Sequence, residues 1–556
     1  MGNEGVHEIC DRYVDEVAAG DPIAATDMGI SGYDDQLTDF SPEGHAARAE
    51  AARRTLREVA AATTDRPGEE SAQAVFTERT ERELELHEAG LDIAQLNPIS
   101  SPVQMLRMIF DLMPTQTEAD WATVARRLDN LPAALDGVRT SLLAAAEADR
   151  APALRQISTV AEQAETWSGM RDTTGYFTNL VAGATDVPQS LRDDLERSAH
   201  AAQEAYAELA GFLRAELAPR APAKDAVGED VYRLWSRYFT GSAIDPREAY
   251  EWGWEEFRRV EAEAERVAER IKPGAGLAGV AEQLDNDDRY QVHGQTRLRE
   301  WMQELADGAL HSLRETHFEI PDPLMGLECR IAPPGGGLGA YYTGPNEDFS
   351  RPGRMWWSVA PDQTDFSTWR EVSTVYHEGV PGHHLQIATS VYEPTLNRFQ
   401  RMLAFTSGHA EGWALYAERL MEELGYLSDD ASLLGMLDAH MFRAARVIID
   451  IGMHLELEIP HGTGFHEGEV WTPDLGWEFL TTRTLTQPAY ARDEVNRYLG
   501  WPGQAPSYKL GERAWLQARR DAQQREGADF DIKSFHTRAL RLGGMGLDTL
   551  REQLAG

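Results

Sequence analysis

Apolar residues recur at helical spacing through roughly the first 270 residues of the chain. One stripe consists of Val103, Leu106, Ile109, Phe110 and Met113. A second stripe, which precedes a charged run, consists of Tyr250, Trp254 and Phe257. Because a helix must bury one face to be stable, such stripes predict core-facing helices rather than cofactor contacts. This part of the chain therefore predicts a succession of helices with breaks at proline and glycine.

The pattern changes after Lys272-Pro273-Gly274, which ends the helical run. Short, partly alternating aromatic segments follow between about 327 and 360, and they predict a small antiparallel sheet. Its three expected strands are Leu327–Ile331, Gly339–Tyr342 and Met355–Val359. Past Phe366 helical spacing returns nearly to the end of the chain, with loops around 460–474 and 500–506. We expect a helical lobe at 1–272 and, across a deep cleft, a second lobe at 273–556 that contains the sheet and further helices.

Composition supports two lobes and excludes some partners. A chain of 556 residues exceeds the size at which one hydrophobic core stops growing. Its formal net charge of −39 would repel a nucleic-acid backbone or an anionic membrane, so we expect neither as a partner. No stretch reaches the roughly 18 uninterrupted apolar residues of a membrane span. The sequence leaves the oligomeric state open.

Two features favour a reducing compartment. Cys10 and Cys329 are the only cysteines, and they lie far apart, so neither a disulfide framework nor a cysteine zinc site is indicated. The amino terminus is acidic and has no basic region, apolar run or small-residue cleavage site of a secretory signal. We expect a cytoplasmic protein.

Residues 377 to 384 read His-Glu-Gly-Val-Pro-Gly-His-His, so a histidine–glutamate pair is followed within two turns by two more histidines. Zinc hydrolases use neutral imidazoles as ligands and need a nearby carboxylate to take a proton from the metal-bound water. This segment offers both, at a density too high for ordinary polar positions on a helix. It predicts that His377 binds Zn²⁺ and that Glu378 acts as the general base, with a role as a fourth metal ligand as the alternative for Glu378.

The second metal ligand is harder to assign. Pro381 occupies the position four residues after His377, where a usual HExxH site has its second histidine. On an ideal helix His383 would lie about 240° round from His377, and His384 would share its face but lie about 10.5 Å along the axis. Proline prevents an ideal helix here. We expect a bulge or break over 379–382 to bring His383 to the ion. His384 is the alternative ligand and is otherwise expected to contact the substrate.

A catalytic zinc site needs a third protein ligand and one open position for water. Glu411 is the candidate for the third ligand, in the segment HAEGWALYAE that would form a second helix returning past the first. Glu418 lies two turns later on nearly the same face. It is the alternative, either as a competing ligand or as a residue that orients one.

Together these residues resemble a bacterial family catalogued as domain of unknown function 885, whose pattern is HExxPGHH followed by EGWALYAE. The resemblance runs along the whole chain; further matching segments are GDPIAATDMGISGYDDQL, RVIIDIGMH (446–454) and EVNRYLGWPGQAPSYKLG (494–511). In its layout the family is similar to the helical zinc peptidases with a glutamate third ligand, such as thimet oligopeptidase and angiotensin-converting enzyme. The resemblance implies a mainly helical, two-lobed, zincin-like metallopeptidase fold and Zn²⁺ as cofactor.

The same resemblance implies roles for residues outside the motif. In those peptidases a downstream tyrosine or histidine stabilises the oxyanion, which gives Tyr508 and His454 catalytic roles. His454 continues a line of polar residues with Arg446 and Asp450, which forms either a network that positions His454 near the metal or a structural ion pair with a core histidine.

Three further residues are expected to bind substrate. The planar guanidinium of Arg497 suits a peptide carboxylate, and Gln504 suits another polar group. The segment 341–343, which contains Tyr342, is similar to the edge strand on which zinc peptidases bind an extended peptide through main-chain hydrogen bonds.

The sequence therefore predicts a zinc-dependent hydrolase, most simply a metallopeptidase that acts on short peptides. Two alternatives stay open. The same site chemistry would serve a hydrolase of a non-peptide amide or ester. A non-catalytic protein would instead close all four zinc positions with His377, His383, His384 and Glu411.

Overall fold

The computed structural model describes residues 5–171, 174–314, 316–332, 339–360 and 363–555. About two thirds of the chain is helical and 4% is strand, so the predicted mainly helical class is confirmed. In the described part of the chain, no helix is both long enough and apolar enough to cross a membrane. The chain divides into two compact units.

The first unit comprises residues 1–65, 80–227 and 499–501. Its helices are α1 (Val6–Gly20), α2 (Pro22–Met28), α3 (Pro42–Ala61), the later part of α4 (Glu69–Glu88), α5 (Pro102–Leu112), α6 (Glu118–Asp129), α7 (Leu131–Glu147), α8 (Leu154–Trp167), α9 (Tyr176–Val181) and α10 (Gln189–Phe212). A π-helical turn at Leu213–Leu217 and a 3-10 turn at Ala218–Arg220 follow α10. Helix α10 packs against α6, α7, α8 and α9. The predicted stripe of α5 is buried in this core.

The second unit comprises residues 66–79, 228–498 and 502–556. Besides the start of α4, its helices are α11 (Glu229–Thr240), α12 (Pro246–Ile271), α13 (Gly276–Asp285), α14 (Gln295–Leu313), α15 (Thr368–Glu378), α16 (His383–Tyr392), α17 (Arg398–Met402), α18 (Ser407–Glu423), α19 (Asp430–His454), α20 (Pro473–Arg483), α21 (Pro488–Gly500, which ends in the first unit), α22 (Ser507–Glu526), α23 (Ile532–Arg541) and α24 (Leu547–Ala555). Short 3-10 turns lie at Asp288–Tyr290, Asp322–Met325 and Gly527–Asp529. Its centre is built from α19, which packs on α12 and α15, and from α18, which packs on α22 and α15.

The boundary between the units differs from the expected one at residue 272. Helix α12, which the sequence assigns to the first lobe, packs along α19 in the second unit, with Trp254 and Phe257 buried. Lys272-Pro273-Gly274 does end a helix, as predicted. A local helix stop does not determine which core a helix joins, because that depends on packing with residues far along the chain.

Two small sheets precede α15. Strands β1 (Gln291–His293) and β5 (Asp365–Ser367) form an antiparallel pair. The three predicted strands are present as β2 (Leu327–Ile331), β3 (Ala340–Thr343) and β4 (Gly353–Trp357). The prediction that they are all antiparallel is wrong, because their order is β2-β4-β3 and β2 runs parallel to β4. The chain reverses at β3 and reverses again into β4, so β4 regains the direction of β2.

Helices α18 and α22 approach each other backbone to backbone through three glycines. A Cβ on Gly412 would lie 2.3 Å from the carbonyl carbon of Gly511, and a Cβ on Gly511 would lie 1.9 Å from the carbonyl oxygen of Gly408. Both distances are far below a van der Waals contact. Since Glu411 directly precedes Gly412, this contact fixes the position of its backbone.

We expect Gly412→Ala to lower the melting temperature, because the added methyl group must push α18 from α22 at a cost of about 1–3 kcal/mol or more. The matched control is Gly308→Ala in α14, where the added Cβ meets nothing within 4 Å. That change should stabilise by about 0.5–1 kcal/mol, because alanine favours a helix over glycine. Thermal unfolding followed by circular dichroism measures both. Equal effects of the two substitutions would contradict the tight contact.

Candidate metal centre

The histidine motif lies on two helices separated by a break at the predicted position. Helix α15 ends at Glu378 and α16 begins at His383. A Cβ on Gly382 would lie 1.9 Å from the carbonyl oxygen of His377, so only glycine fits there. The break is hydrogen-bonded, since the N–H of Gly382 donates to Tyr376 at 3.0 Å. It starts a second helix directly beside the last turn of the first.

His377, His383 and Glu411 meet at this break. Glu411 Oε2 lies 3.2 Å from His377 Nε2 and 3.4 Å from His383 Nε2. Each residue offers one ligand atom, and these atoms all lie within 4.8 Å of one another. Both histidines are buried, whereas the Glu411 side chain is 16% exposed. Two imidazole nitrogens and one carboxylate oxygen therefore converge, and the side chain that carries the carboxylate is partly exposed.

Glu418 holds the other side of the His377 ring. Its Oε1 lies 2.8 Å from His377 Nδ1, and its Oε2 accepts the hydroxyl of Ser373. Glu418 is almost completely buried. The two glutamates of α18 thus contact opposite nitrogens of one imidazole, so Glu411 faces the cluster and Glu418 orients the ring.

A chain of buried polar contacts leads from Glu418 away from the cluster. His440 Nε2 lies 3.6 Å from Glu418 Oε2, and His440 Nδ1 lies 2.9 Å from Lys509 Nζ. Lys509 in turn forms ion pairs with Glu256 and Glu512. These two glutamates line a cavity of about 460 Å³ among α12, α18 and α22. The cavity is separate from the cluster, and the polar chain between them positions Glu418.

The charges of the cluster stabilise one another. Burial acts to lower the pKa of His377, but its contacts with Glu411 and Glu418 raise that pKa to about 9. Burial acts to raise the pKa of Glu411, yet the positive charges of His383 and His377 bring it well below its usual value. The pKa of Glu378 is raised by burial, against the opposing charges of His383 and His377. A bound cation would take over the role of the imidazole charges.

His384 points away from the cluster. Its Nε2 lies 2.7 Å from the carbonyl oxygen of Leu324, and its Nδ1 lies 3.0 Å from the hydroxyl of Tyr342. Both ring nitrogens are therefore engaged in the sheet region. Burial lowers the pKa of His384 to about 4, so it is a neutral imidazole. Tyr342, whose strand is expected to bind substrate through its main chain, turns its hydroxyl toward His384.

Tyr508 and Arg497 lie together beside the cluster. Burial and the charge of Glu411 both raise the pKa of Tyr508. Arg497 Nη2 lies 3.4 Å from the Tyr508 hydroxyl and donates to Gln504 Oε1 at 2.7 Å. Its Nη1 donates to Glu494. The predicted oxyanion donor and the two predicted polar contacts thus share one hydrogen-bonded group.

Arg446 and His454 of the polar line on α19 contact different residues. Arg446 pairs with Glu494 at 2.8 Å and its guanidinium lies 4.8 Å from the centre of the Tyr508 ring. His454 is completely buried, with Nε2 2.9 Å from the carbonyl oxygen of Tyr498. These contacts favour the structural alternative for His454 over its catalytic role.

Two residues near the cluster escaped the sequence analysis. His440 contacts Glu418, and Arg443 acts electrostatically on both Glu378 and Glu418. Both precede Arg446 on α19 at intervals of three residues. Steps of four residues, as in the line of Arg446, Asp450 and His454, lead instead to Phe442 and Asp438, so that pattern does not indicate them.

The family model described as "Bacterial protein of unknown function (DUF885)" matches residues 22–554. The chain belongs to this family. Among solved structures, the DUF885 chain is similar to one described as the putative lipoprotein from Colwellia psychrerythraea, with 21% identity and a TM-score of 0.85 over 99% of this chain and 98% of that one. It is also similar to a putative lipoprotein of unknown function from Shewanella oneidensis, with 16% identity and a TM-score of 0.75 over 100% of both chains. No curated protein matches.

Asp450 lies buried on α19, and its ionisation should make stability depend on pH. Its Oδ1 accepts hydrogen bonds from the Tyr232 hydroxyl and the Gly503 N–H, whereas Oδ2 has no partner among the described residues. Burial raises the pKa of Asp450 from 3.8 to about 7. The folded protein therefore binds an extra proton between those values, and this contribution to stability is lost as pH rises from about 4 to 7.

We expect Asp450→Asn to remove this loss, because asparagine keeps an acceptor for Tyr232 and Gly503 but cannot ionise. Relative to the unsubstituted protein, the variant should become more stable between pH 5 and pH 8. Its free energy of unfolding should gain on the order of 1–4 kcal/mol over that range. Thermal or urea unfolding at several pH values measures the difference. Parallel stability profiles would contradict the raised pKa.

Proposed function

We propose that this protein is a zinc-dependent hydrolase that acts on short peptides. The observation that supports it is the convergence of His377, His383 and Glu411, with the carboxylate of Glu378 directly after the first of them. Two histidines and one carboxylate form a ligand set found in catalytic zinc sites, which keep one further position for water.

The residues fit a zinc ion. His377 and His383 present Nε2 to the cluster, and the buried Glu418 accepts from His377 Nδ1, as a partner of a metal-bound imidazole usually does. Glu411 completes the three ligands. A zinc ion bound here would supply Lewis acidity and bring the pKa of a bound water to about 7.

The remaining steps belong to side chains of the chain itself. Glu378 takes the proton from the attacking water and returns it to the leaving nitrogen. Tyr508 donates its phenolic hydrogen to the oxyanion, and it is held for this by Arg497. Such a donor is typically worth about 3 kcal/mol. His454 is the other candidate for this role. It is the weaker one, because its Nε2 already contacts the carbonyl oxygen of Tyr498.

Two alternatives to peptide hydrolysis were considered from the sequence, a hydrolase of another substrate and a structural zinc site. Hydrolysis of a non-peptide amide or ester would use the same residues, so only the substrate separates it from the preferred function. A closed structural zinc site would require His384 as a fourth ligand, yet both its ring nitrogens are hydrogen-bonded elsewhere. This observation favours catalysis.

The fold relationship, substrate, partners and location of the protein stay predictions. We propose a zincin-like relationship of the fold, a short peptide or small amide as substrate, and no nucleic-acid or membrane partner. A cytoplasmic location is proposed from the sequence, while the two similar structures come from proteins described as lipoproteins. Fractionation of the native protein would decide between these locations.

We expect Glu378→Gln to keep near-stoichiometric zinc and to lose at least about a hundredfold of its hydrolysis, because glutamine cannot accept the proton. His377→Ala should lose the metal. Elemental analysis together with cleavage profiling on a mixed peptide library measures both. Glu423→Gln on the outer end of α18 is the control and should match the unsubstituted protein. Full activity of Glu378→Gln would remove the general-base role.

The two adjacent histidines should respond differently to alanine. His383→Ala should lose most of its zinc, because it removes a ligand. His384→Ala should retain zinc but lose about 1–3 kcal/mol of stability, since the carbonyl of Leu324 loses its partner. Zinc content and melting temperature measured on the same samples separate the effects. Loss of zinc in His384→Ala alone, with His383→Ala fully loaded, would reverse the assignment.

A further inference from the structure

Trp413 of α18 donates a hydrogen bond to the break between α15 and α16. Its indole Nε1 lies 2.8 Å from the carbonyl oxygen of Pro381 and 3.3 Å from that of Gly382. All three residues are buried. A buried main-chain carbonyl outside a regular helix needs a donor from the protein, because water does not reach it. Trp413 provides that donor at the point where the histidine motif turns back on itself.

The main-chain hydrogen bonds of this break stay within the histidine motif and its helices. The N–H of Gly382 donates back to the last turn of α15, and the N–H of His384 donates to Gly379, each at 3.0 Å. These bonds shape the turn, but they do not connect it with α18, which carries the third ligand candidate. The indole N–H makes that connection, because it comes from α18 itself.

The ring of Trp413 has a defined orientation, because other aromatic rings pack around it. Its centre lies 5.0 Å from that of Trp515 on α22 and 5.4 Å from that of Tyr416. The ring of His536 on α23 meets it edge-on at 5.7 Å. Trp413 also directly follows Gly412, whose close approach to α22 fixes the backbone of α18. A ring packed in this way points its N–H in one direction.

A second side chain ties α16 to α18. The amide nitrogen of Gln386, three residues after His383, lies 3.2 Å from His409 Nδ1 and 3.4 Å from the His409 carbonyl oxygen. Both side chains are almost completely buried. His409 lies two residues before Glu411 on α18. The amide therefore holds α16 against the same turn of α18 that carries the carboxylate.

Both ties lie where two metal-ligand candidates must meet. His383 Nε2 and Glu411 Oε2 are 3.4 Å apart, although they come from different helices. Zinc holds its ligands at distances that vary by only about 0.2 Å. A small shift of α16 along α18 would separate the two ligands, and the main-chain bonds inside the motif would not prevent it. Contacts between the two helices are needed to keep them in place.

We propose that Trp413 and Gln386 are positioning residues of the metal centre, an inference that rests on the zinc site of the proposed function. Trp413 holds the turn before His383, and Gln386 holds the turn after it, each against the helix that carries Glu411. Both act on the ligands through the main chain and the helices. Loss of either contact should weaken zinc binding more than it weakens the fold.

The test compares Trp413→Phe with the matched control Trp471→Phe. Trp471 is also buried, its indole N–H donates to the Tyr250 hydroxyl at 2.8 Å, and its ring packs on Phe479, outside α15, α16 and α18. Each substitution removes one buried indole and one hydrogen bond, so each should lower the melting temperature of the metal-free protein. Gln386→Met is the second test variant, because it loses the amide but keeps the length of the side chain.

Two measurements on the metal separate positioning from general stability. Zinc affinity is obtained by competition with a chelator, and the visible absorption of the cobalt-loaded protein reports the geometry of the ligands. The melting temperature of each metal-free variant is measured on the same preparations. None of these readouts depends on a substrate.

We expect Trp413→Phe to bind zinc about tenfold to a hundredfold more weakly, as the loss of a residue that orients metal ligands usually does. Its cobalt spectrum should differ from that of the unsubstituted protein. Gln386→Met should change both quantities in the same direction. Trp471→Phe should match the unsubstituted protein in both, despite its lower melting temperature. If Trp413→Phe does not fold, Gln386→Met decides the test, because it leaves the aromatic rings in place.

Two outcomes would overturn the inference. Unchanged zinc affinity and cobalt spectrum in Trp413→Phe and Gln386→Met would make both residues structural only, and a change in one variant alone would restrict the role to that residue. Equal weakening in Trp471→Phe would show that zinc binding follows general stability. The proposed function stands in either case if the zinc-loaded unsubstituted protein cleaves peptides. If that protein binds no zinc, the function and the inference both fail, whereas bound zinc without cleavage of any peptide contradicts the function alone.

Discussion

The candidate site depends on one steric constraint, the absence of a side chain at Gly382. A Cβ there would lie 1.9 Å from the carbonyl oxygen of His377, so only glycine lets the chain turn back against the end of α15. This close approach starts α16 at His383 and leaves the two imidazole rings 4.8 Å apart. On a continuous helix the same residues would point about 240° apart. Without the break there would be no cluster.

A second close approach supplies the carboxylate. The glycines of α18 and α22 allow the backbones to touch, which sets the depth at which Glu411 enters the cluster. One helix then delivers two acids, because Glu411 and Glu418 are seven residues apart and face opposite nitrogens of His377. The buried chain through His440 and Lys509 offsets part of the cost of burying Glu418. The geometry of the site is thus fixed from both sides of a single imidazole.

The sequence predicts those features whose cause is local. Pro381 and its flanking glycines cannot continue a helix, so the break was predictable, and with it the placement of His383. Strand positions also followed from alternation and turn residues, whereas the parallel pairing of β2 with β4 depends on the path of the intervening chain. Similarly, no local signal indicates that His384 bonds to Leu324, sixty residues earlier. Such properties depend on which distant residues pack together.

The engagement of His384 bears on what the centre can do. A zinc site that only stabilises a fold is closed by four protein ligands, and the motif supplies enough histidines for that. The structure uses the extra histidine for the sheet instead, where Leu324 and Tyr342 take both ring nitrogens. The three remaining donors include Glu411, whose side chain is partly exposed, as is that of Tyr508. With its third histidine engaged elsewhere and Glu378 directly after His377, the site fits the proposed function, which needs one open position for water.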